Sequence, residues 1–128
     1  MSNTPCFCGN QITYSHCCQK FISGKEFPET PEQLMRSRYS AYATGEIDYL
    51  IESTHPSTRK LYSPDEIVAW MHANKWVKLE IIRSFDATVE FKAHFVEGLK
   101  SPEIHHERST FKEENGRWYF LDGIDPNY

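Results

Sequence analysis

All four cysteines of this 128-residue chain lie near one end, as Cys6, Cys8, Cys17 and Cys18. Four thiols at that density allow two disulfides or one tetrathiolate metal site. Disulfides fit the spacing poorly, because bridges would have to run between the C-x-C pair and the adjacent C-C pair. Two short knuckles can instead present four sulfurs to one tetrahedral zinc ion at about 2.3 Å. Gly9, directly after Cys8, permits the positive φ of a tight metal knuckle. A closed four-sulfur shell leaves no position for substrate, so the expected cofactor is one structural zinc ion. A redox or disulfide role is the alternative. His16 stands beside Cys17 as a substitute ligand and reads as an exposed loop residue.

A second group of candidates is spread along the chain. On a helical wheel, Leu34, Met35, Tyr39, Ala41 and Tyr42 form one apolar arc with Arg38 in its middle, while Arg36 falls on the wet side. A buried guanidinium needs an acceptor. Glu107 shares strand parity with Phe111, so an Arg38–Glu107 pair is expected where helix meets sheet. That pair is either a structural ion pair or the floor of a pocket that holds an anionic or carbonyl ligand. His55 and Arg59, in the turn "HPSTR", are candidates for the pocket mouth, with a capping histidine as the plainer reading. Trp70 and Trp118 read as core aromatics or pocket walls. His105 and His106 are adjacent in a strand and point to opposite faces, so they cannot chelate one ion side by side. His72 and His94 lack partners at metal spacing. The chain has no phosphate-cradling glycine loop, nucleophile elbow or metal-hydrolase motif.

These residues need elements to carry them. Ser23 to Gln33 reads as a linker, and Thr30-Pro31-Glu32-Gln33 opens a helix that Gly45 ends. A second helix is expected from Glu46 to about Ser53. A third starts at Ser63-Pro64 with Glu66 as capping-box partner. The hydrophobic period then changes from 3.6 to 2. Strands are predicted at Trp76–Phe85, Thr88–Glu97, Glu103–Glu113 and Arg117–Asp122, with Asn115-Gly116 as a two-residue hairpin turn. Val77, Leu79 and Ile81 share one parity and form the expected core face of the first strand. Helices followed by an antiparallel meander make an α+β domain.

Composition narrows the function classes. A formal charge of −4 gives no basic field for nucleic acid or anionic membrane. Apolar runs fall well short of the roughly 20 residues that span a bilayer. Nothing at the start resembles a secretory signal, so a cytoplasmic location and no membrane insertion are expected.

The pattern C-x-C-G-x7-C-C resembles the SEC-C motif, a small zinc module. "PEQLMRSRYSAYATGEIDYLIESTHPSTR" and "HHERSTFKEENGRWYFLDG" extend the likeness to the bacterial YchJ family, whose biochemical role is not established. The resemblance implies a SEC-C module over residues 1–25 and a nuclear transport factor 2-like cone over 26–128. In that arrangement three helices pack on a curved antiparallel sheet of about four strands. The usual motif continues C-G-S-G into a lysine-rich stretch, whereas this chain has Gly9-Asn10-Gln11 and no lysine before Lys20. The nucleic-acid binding of other SEC-C modules is therefore not expected here. The function expected first is a protein-binding adaptor. A small-molecule binder or hydrolase/isomerase-type enzyme is the alternative, with Arg38, Tyr39, Tyr42, His55, Glu107 and Trp118 lining its pocket. Nucleic-acid binding ranks third.

Overall fold

The computed structural model describes residues 4–126. A single 3-10 turn, Tyr14–His16, precedes α1 (Cys18–Ile22); then come α2 (Pro31–Thr44), α3 (Ile47–Glu52), α4 (Pro56–Arg59) and α5 (Pro64–Ala73). Four strands follow: β1 (Asn74–Phe85), β2 (Thr88–Glu97), β3 (Glu103–Glu114) and β4 (Arg117–Ile124). They form one antiparallel sheet in the order β1-β2-β3-β4. The α+β fold and its meander stand as expected. Two short helices are added: α1 behind the last cysteines, and α4 inside the stretch read as a turn.

Local chemistry sets the helix ends. Thr30 accepts a hydrogen bond from the Gln33 amide at the start of α2, and Ser63 does the same for Glu66 at α5. Each is followed by proline at the first helical position, where the missing N–H costs nothing. Gly45 closes α2 at φ 81°, the left-handed conformation a glycine reaches without strain. Asn115 and Gly116, at φ 55° and 78°, turn β3 into β4 with both central residues at positive φ, as a type I′ hairpin requires.

Helix α2 packs on one face of the sheet, against β1, β2 and β4. Leu34, Met35, Tyr39 and Ala41 are buried there, opposite Leu79, Val89, Phe91, Phe111 and Phe120. The other face of α2 is not wet as the wheel implied. It carries the cysteine segment: Arg36 Nη1 donates to the Cys8 carbonyl at 2.8 Å, and Ser40 Oγ lies 3.7 Å from Cys6 Sγ. A helical wheel cannot anticipate a segment that docks from elsewhere in the chain.

The first strand also departs from simple alternation. A register shift between Trp76 and Lys78 puts a bulge at Val77, which is 56% exposed, while Trp76 and Leu79 turn inward. This makes a quantitative contrast. Leu79→Ala should cost about 2–5 kcal/mol of stability, and Val77→Ala should stay within about 0.5 kcal/mol, as surface changes do. Urea unfolding midpoints measure both, and equal losses would contradict the bulge.

Candidate functional site

The cysteine site is built from a small loop. Pro5 and Thr13 form an antiparallel bridge, and the Cys6 amide donates to the Ile12 carbonyl at 3.0 Å. Gly9 sits at φ 92° with its amide on the Cys6 carbonyl, and this tight turn brings Cys6 and Cys8 to one side. Cys17 and Cys18 arrive at the N-terminal end of α1. All four are buried free thiols, and their sulfurs lie within 4.8 Å of one another. The Cys8–Cys17 and Cys17–Cys18 separations are 3.7 and 4.0 Å. A tetrahedron with bonds of about 2.3 Å needs sulfurs roughly 3.8 Å apart, so the four residues fit one metal ion.

Hydrogen bonds from Cys18 and Cys8 push Cys6 strongly down. The bonds to Cys6 and Cys8, together with burial, push Cys18 strongly up. Cys8 ends at about 11: the bond to Cys18 pulls it down, and its bond to Cys6 and burial outweigh that. A bound dication would hold all four as thiolates. Asn10 Nδ2 donates to Cys17 Sγ at 3.6 Å and supports the cluster from outside. His16 lies apart from it, with Nδ1 2.9 Å from Thr13 Oγ1.

The second feature is a cavity of about 120 Å³ between α2, α5 and the sheet. Arg38, Tyr39, Tyr42 and Glu107 all line it. Arg38 is 6% exposed and does not pair with Glu107. Its Nη1 instead donates to the Leu50 carbonyl (3.0 Å), Ser53 Oγ (2.7 Å) and Thr54 Oγ1 (3.3 Å), and its guanidinium stacks on Phe120 at 4.2 Å. The expected direct pair is thus replaced by acceptors at the C-terminal end of α3. Burial lowers the Arg38 pKa, while the Glu107 carboxylate resists that.

Across the cavity, Glu107 accepts from His105 Nε2 at 2.8 Å and from Ser109 Oγ at 2.6 Å. Residues 105, 107, 109 and 111 share one inward parity along β3, so the strand does carry a polar interior stripe. The bulge falls in its pairing with β4, between Thr110 and Phe111, and does not switch the β3 face. Gly123, opposite Ser109 on β4, has no Cβ where one would overlap the Glu107 carboxylate. Burial opposes ionisation of Glu107, but the bonds from His105 and Ser109, with the charges of His105 and Arg38, hold its pKa below the usual value.

His55 and Trp118 do not line the cavity. His55 caps α4 by accepting from the Ser57 amide, and its Nε2 lies 3.1 Å from Glu114. Arg59 donates to the Thr54 and Glu52 carbonyls. Trp118 is half-buried against the core near the β3–β4 turn. Sequence reasoning missed Thr54, Tyr62 and Trp76 as lining residues. The signal for His105 and Ser109 was the parity of Glu107. Trp76 is on the lining only because of the bulge beside it.

The depressed Glu107 pKa sets a pH dependence. Its stabilising contribution is complete above the unfolded carboxylate value of about 4.3 and disappears as pH falls through the lower folded value. The stability lost in Glu107→Gln should therefore be largest near neutral pH and shrink below about pH 4. Urea midpoints of the two proteins from pH 7 to pH 3 measure this; a constant difference would contradict it.

Comparison with known proteins agrees with this architecture. The family model described as "YchJ, middle NTF2-like domain" matches residues 30–123. The chain is 40% identical over 129 residues to UPF0225 protein YchJ of Shigella dysenteriae, covering 96% of this chain and 84% of that protein. It is 42% identical over 122 residues to a UPF0225 protein of Haemophilus influenzae, covering 91% and 76%. The solution structure of a SEC-C motif containing protein from Rhodopseudomonas palustris superposes with a TM-score of 0.88 at 40% identity, over 95% and 98% of the two chains. A crystal structure of a SEC-C motif containing protein from Psychrobacter arcticus gives 0.80 at 30% identity, over 94% and 82%. With a thiol cluster docked on a nuclear transport factor 2-like sheet and this degree of identity along the chain, the protein belongs to the YchJ (UPF0225) family.

Proposed function

We propose that this protein binds a small molecule in the cavity beside Arg38, and that its four cysteines hold one structural zinc ion. The observation that carries the ligand reading is a set of polar groups facing one apolar-walled space without satisfying one another. Arg38 Nε and Nη2 have no acceptor among the described residues, and the buried Trp76 Nε1 has none either. A buried donor such as Trp76 Nε1 is costly unless a ligand or water completes it. Aromatic walls with a few convergent polar groups are what small-molecule sites present.

Zinc is favoured by the ligand type, since four thiolates in a tetrahedron suit that ion and leave no open position. With such thiols, a reducing cytoplasm is the fitting location. No helix among the described residues is long and apolar enough to cross a membrane. The adaptor reading keeps one specific support: Phe7 and Ile12 are 42% and 50% exposed beside the thiols. The charge of −4 continues to disfavour nucleic acid.

Two measurements follow. Elemental analysis of the purified protein should give about one zinc per chain, and Cys8→Ser should lose it; a metal-free, fully folded protein would contradict the zinc reading. One-ring probes such as phenol and cyclohexanone should quench tryptophan fluorescence saturably, because Trp70 and Trp76 line the cavity. Ala93→Leu, which fills that space from β2, should abolish the response while leaving the fold intact. Quenching that survives Ala93→Leu would place the ligand elsewhere.

A further inference from the structure

Resting on the small-ligand reading above, we propose that the cavity is a proton-transfer site. His105 is the general base, Glu107 and Ser109 position it, and the substrate is a neutral single-ring ketone deprotonated beside its carbonyl.

The geometry begins with β3. His105, Glu107 and Ser109 lie on one face at a spacing of two, so their side chains meet along the strand. The Glu107 carboxylate only accepts, so the His105 nitrogen 2.8 Å from it, Nε2, carries the hydrogen. In a neutral imidazole the lone pair then belongs to Nδ1. Nδ1 has no partner among the described residues, and His105 lines the cavity with its ring 5.4 Å from that of Trp70. Ser109 holds the second carboxylate oxygen at 2.6 Å, and Gly123 leaves the carboxylate room. Such a carboxylate orients the base and stabilises the imidazolium that forms, as in other base–orienter pairs.

The opposite wall supplies what a developing oxyanion needs. Arg38 is fixed through Nη1 and Phe120, leaving Nε and Nη2 as donors. Tyr42 is kept protonated by burial, and its hydroxyl feels both Arg38 and Glu107. Preorganised donors act strongly on charge that appears only in the transition state. Arg38 and Glu107 carry opposite charges, so the cavity favours a neutral substrate over an anion. A cavity of about 150 Å³ accommodates benzene, so at about 120 Å³ this one admits a single ring at most.

The step balances without a co-reactant. The C–H bond next to the carbonyl breaks and its proton goes to His105 Nδ1. The released pair forms a C=C bond to the carbonyl carbon, and the C=O π pair moves to oxygen beside Arg38 and Tyr42. The imidazolium then returns the proton to a carbon of the same skeleton and the C=O bond re-forms. The net result is exchange or isomerisation.

The adjacent histidine is the internal control. His106 points to the other face, where its Nε2 lies 2.7 Å from Glu90. With cyclohexanone in deuterated buffer, proton NMR reads loss of the α-hydrogens while tryptophan fluorescence reads binding. Wild type should accelerate exchange over buffer, His105→Gln should lose about 10²–10⁴-fold of that, and His106→Gln should retain it. Glu107→Gln should lower the maximal rate without changing the half-saturating ketone concentration, a split that loss of structure would not produce. Exchange that survives His105→Gln overturns the proposal. Saturable quenching without accelerated exchange overturns the proton transfer and leaves the binding reading standing. Neither quenching nor exchange overturns both.

Discussion

A guanidinium inside a 128-residue protein is a demanding guest, and the arrangement around Arg38 accounts for much of this fold. Leaving that charge unpaired would cost several kcal/mol, so α3 must end where Leu50, Ser53 and Thr54 can accept from it. The same segment is pinned to the sheet: the His55 amide donates to the Phe120 carbonyl at 2.7 Å, and the Phe120 amide to the Ser53 carbonyl at 2.8 Å. Phe120 in turn offers its ring face to Arg38. One side chain from α2 therefore ties α3 and β4 together. Because it does so without Glu107, a cavity stays open between them.

Helix α2 connects the two candidate sites. Its Arg36 and Ser40 meet the cysteine segment, and its Arg38, Tyr39 and Tyr42 line the cavity. A metal that orders the cysteines would thus brace one face of the helix whose other face shapes the pocket. Such bracing would give the thiol cluster a role without chemistry of its own, as four sulfurs placed to hold one ion allow.

Much of the fold was legible because its signals are local. Thr30 and Ser63 before proline, and Asn115-Gly116 between strands, act within a few residues and need no tertiary knowledge. The cysteine pairs declared a metal-sized cluster for the same reason. What failed depended on contacts between distant segments. Arg36 looked wet until the cysteine loop covered it, and Val77 looked buried until a bulge turned it out. Arg38 and Glu107 were rightly placed near one another, but each found nearer partners, hydroxyls and a carbonyl for one, His105 and Ser109 for the other. His55 was spent on capping α4, and Trp118 lies toward the far end of the hairpin.

The central claim is that Arg38 and Glu107 face one another across a space meant to be filled. A high-resolution crystal structure of the protein soaked with cyclohexanone tests it most directly. Density for the ring is predicted in the cavity that Trp70 and Trp76 line, with its oxygen within hydrogen-bonding distance of Arg38 or Tyr42. A closed interior in which Arg38 and Glu107 form a direct ion pair would contradict it.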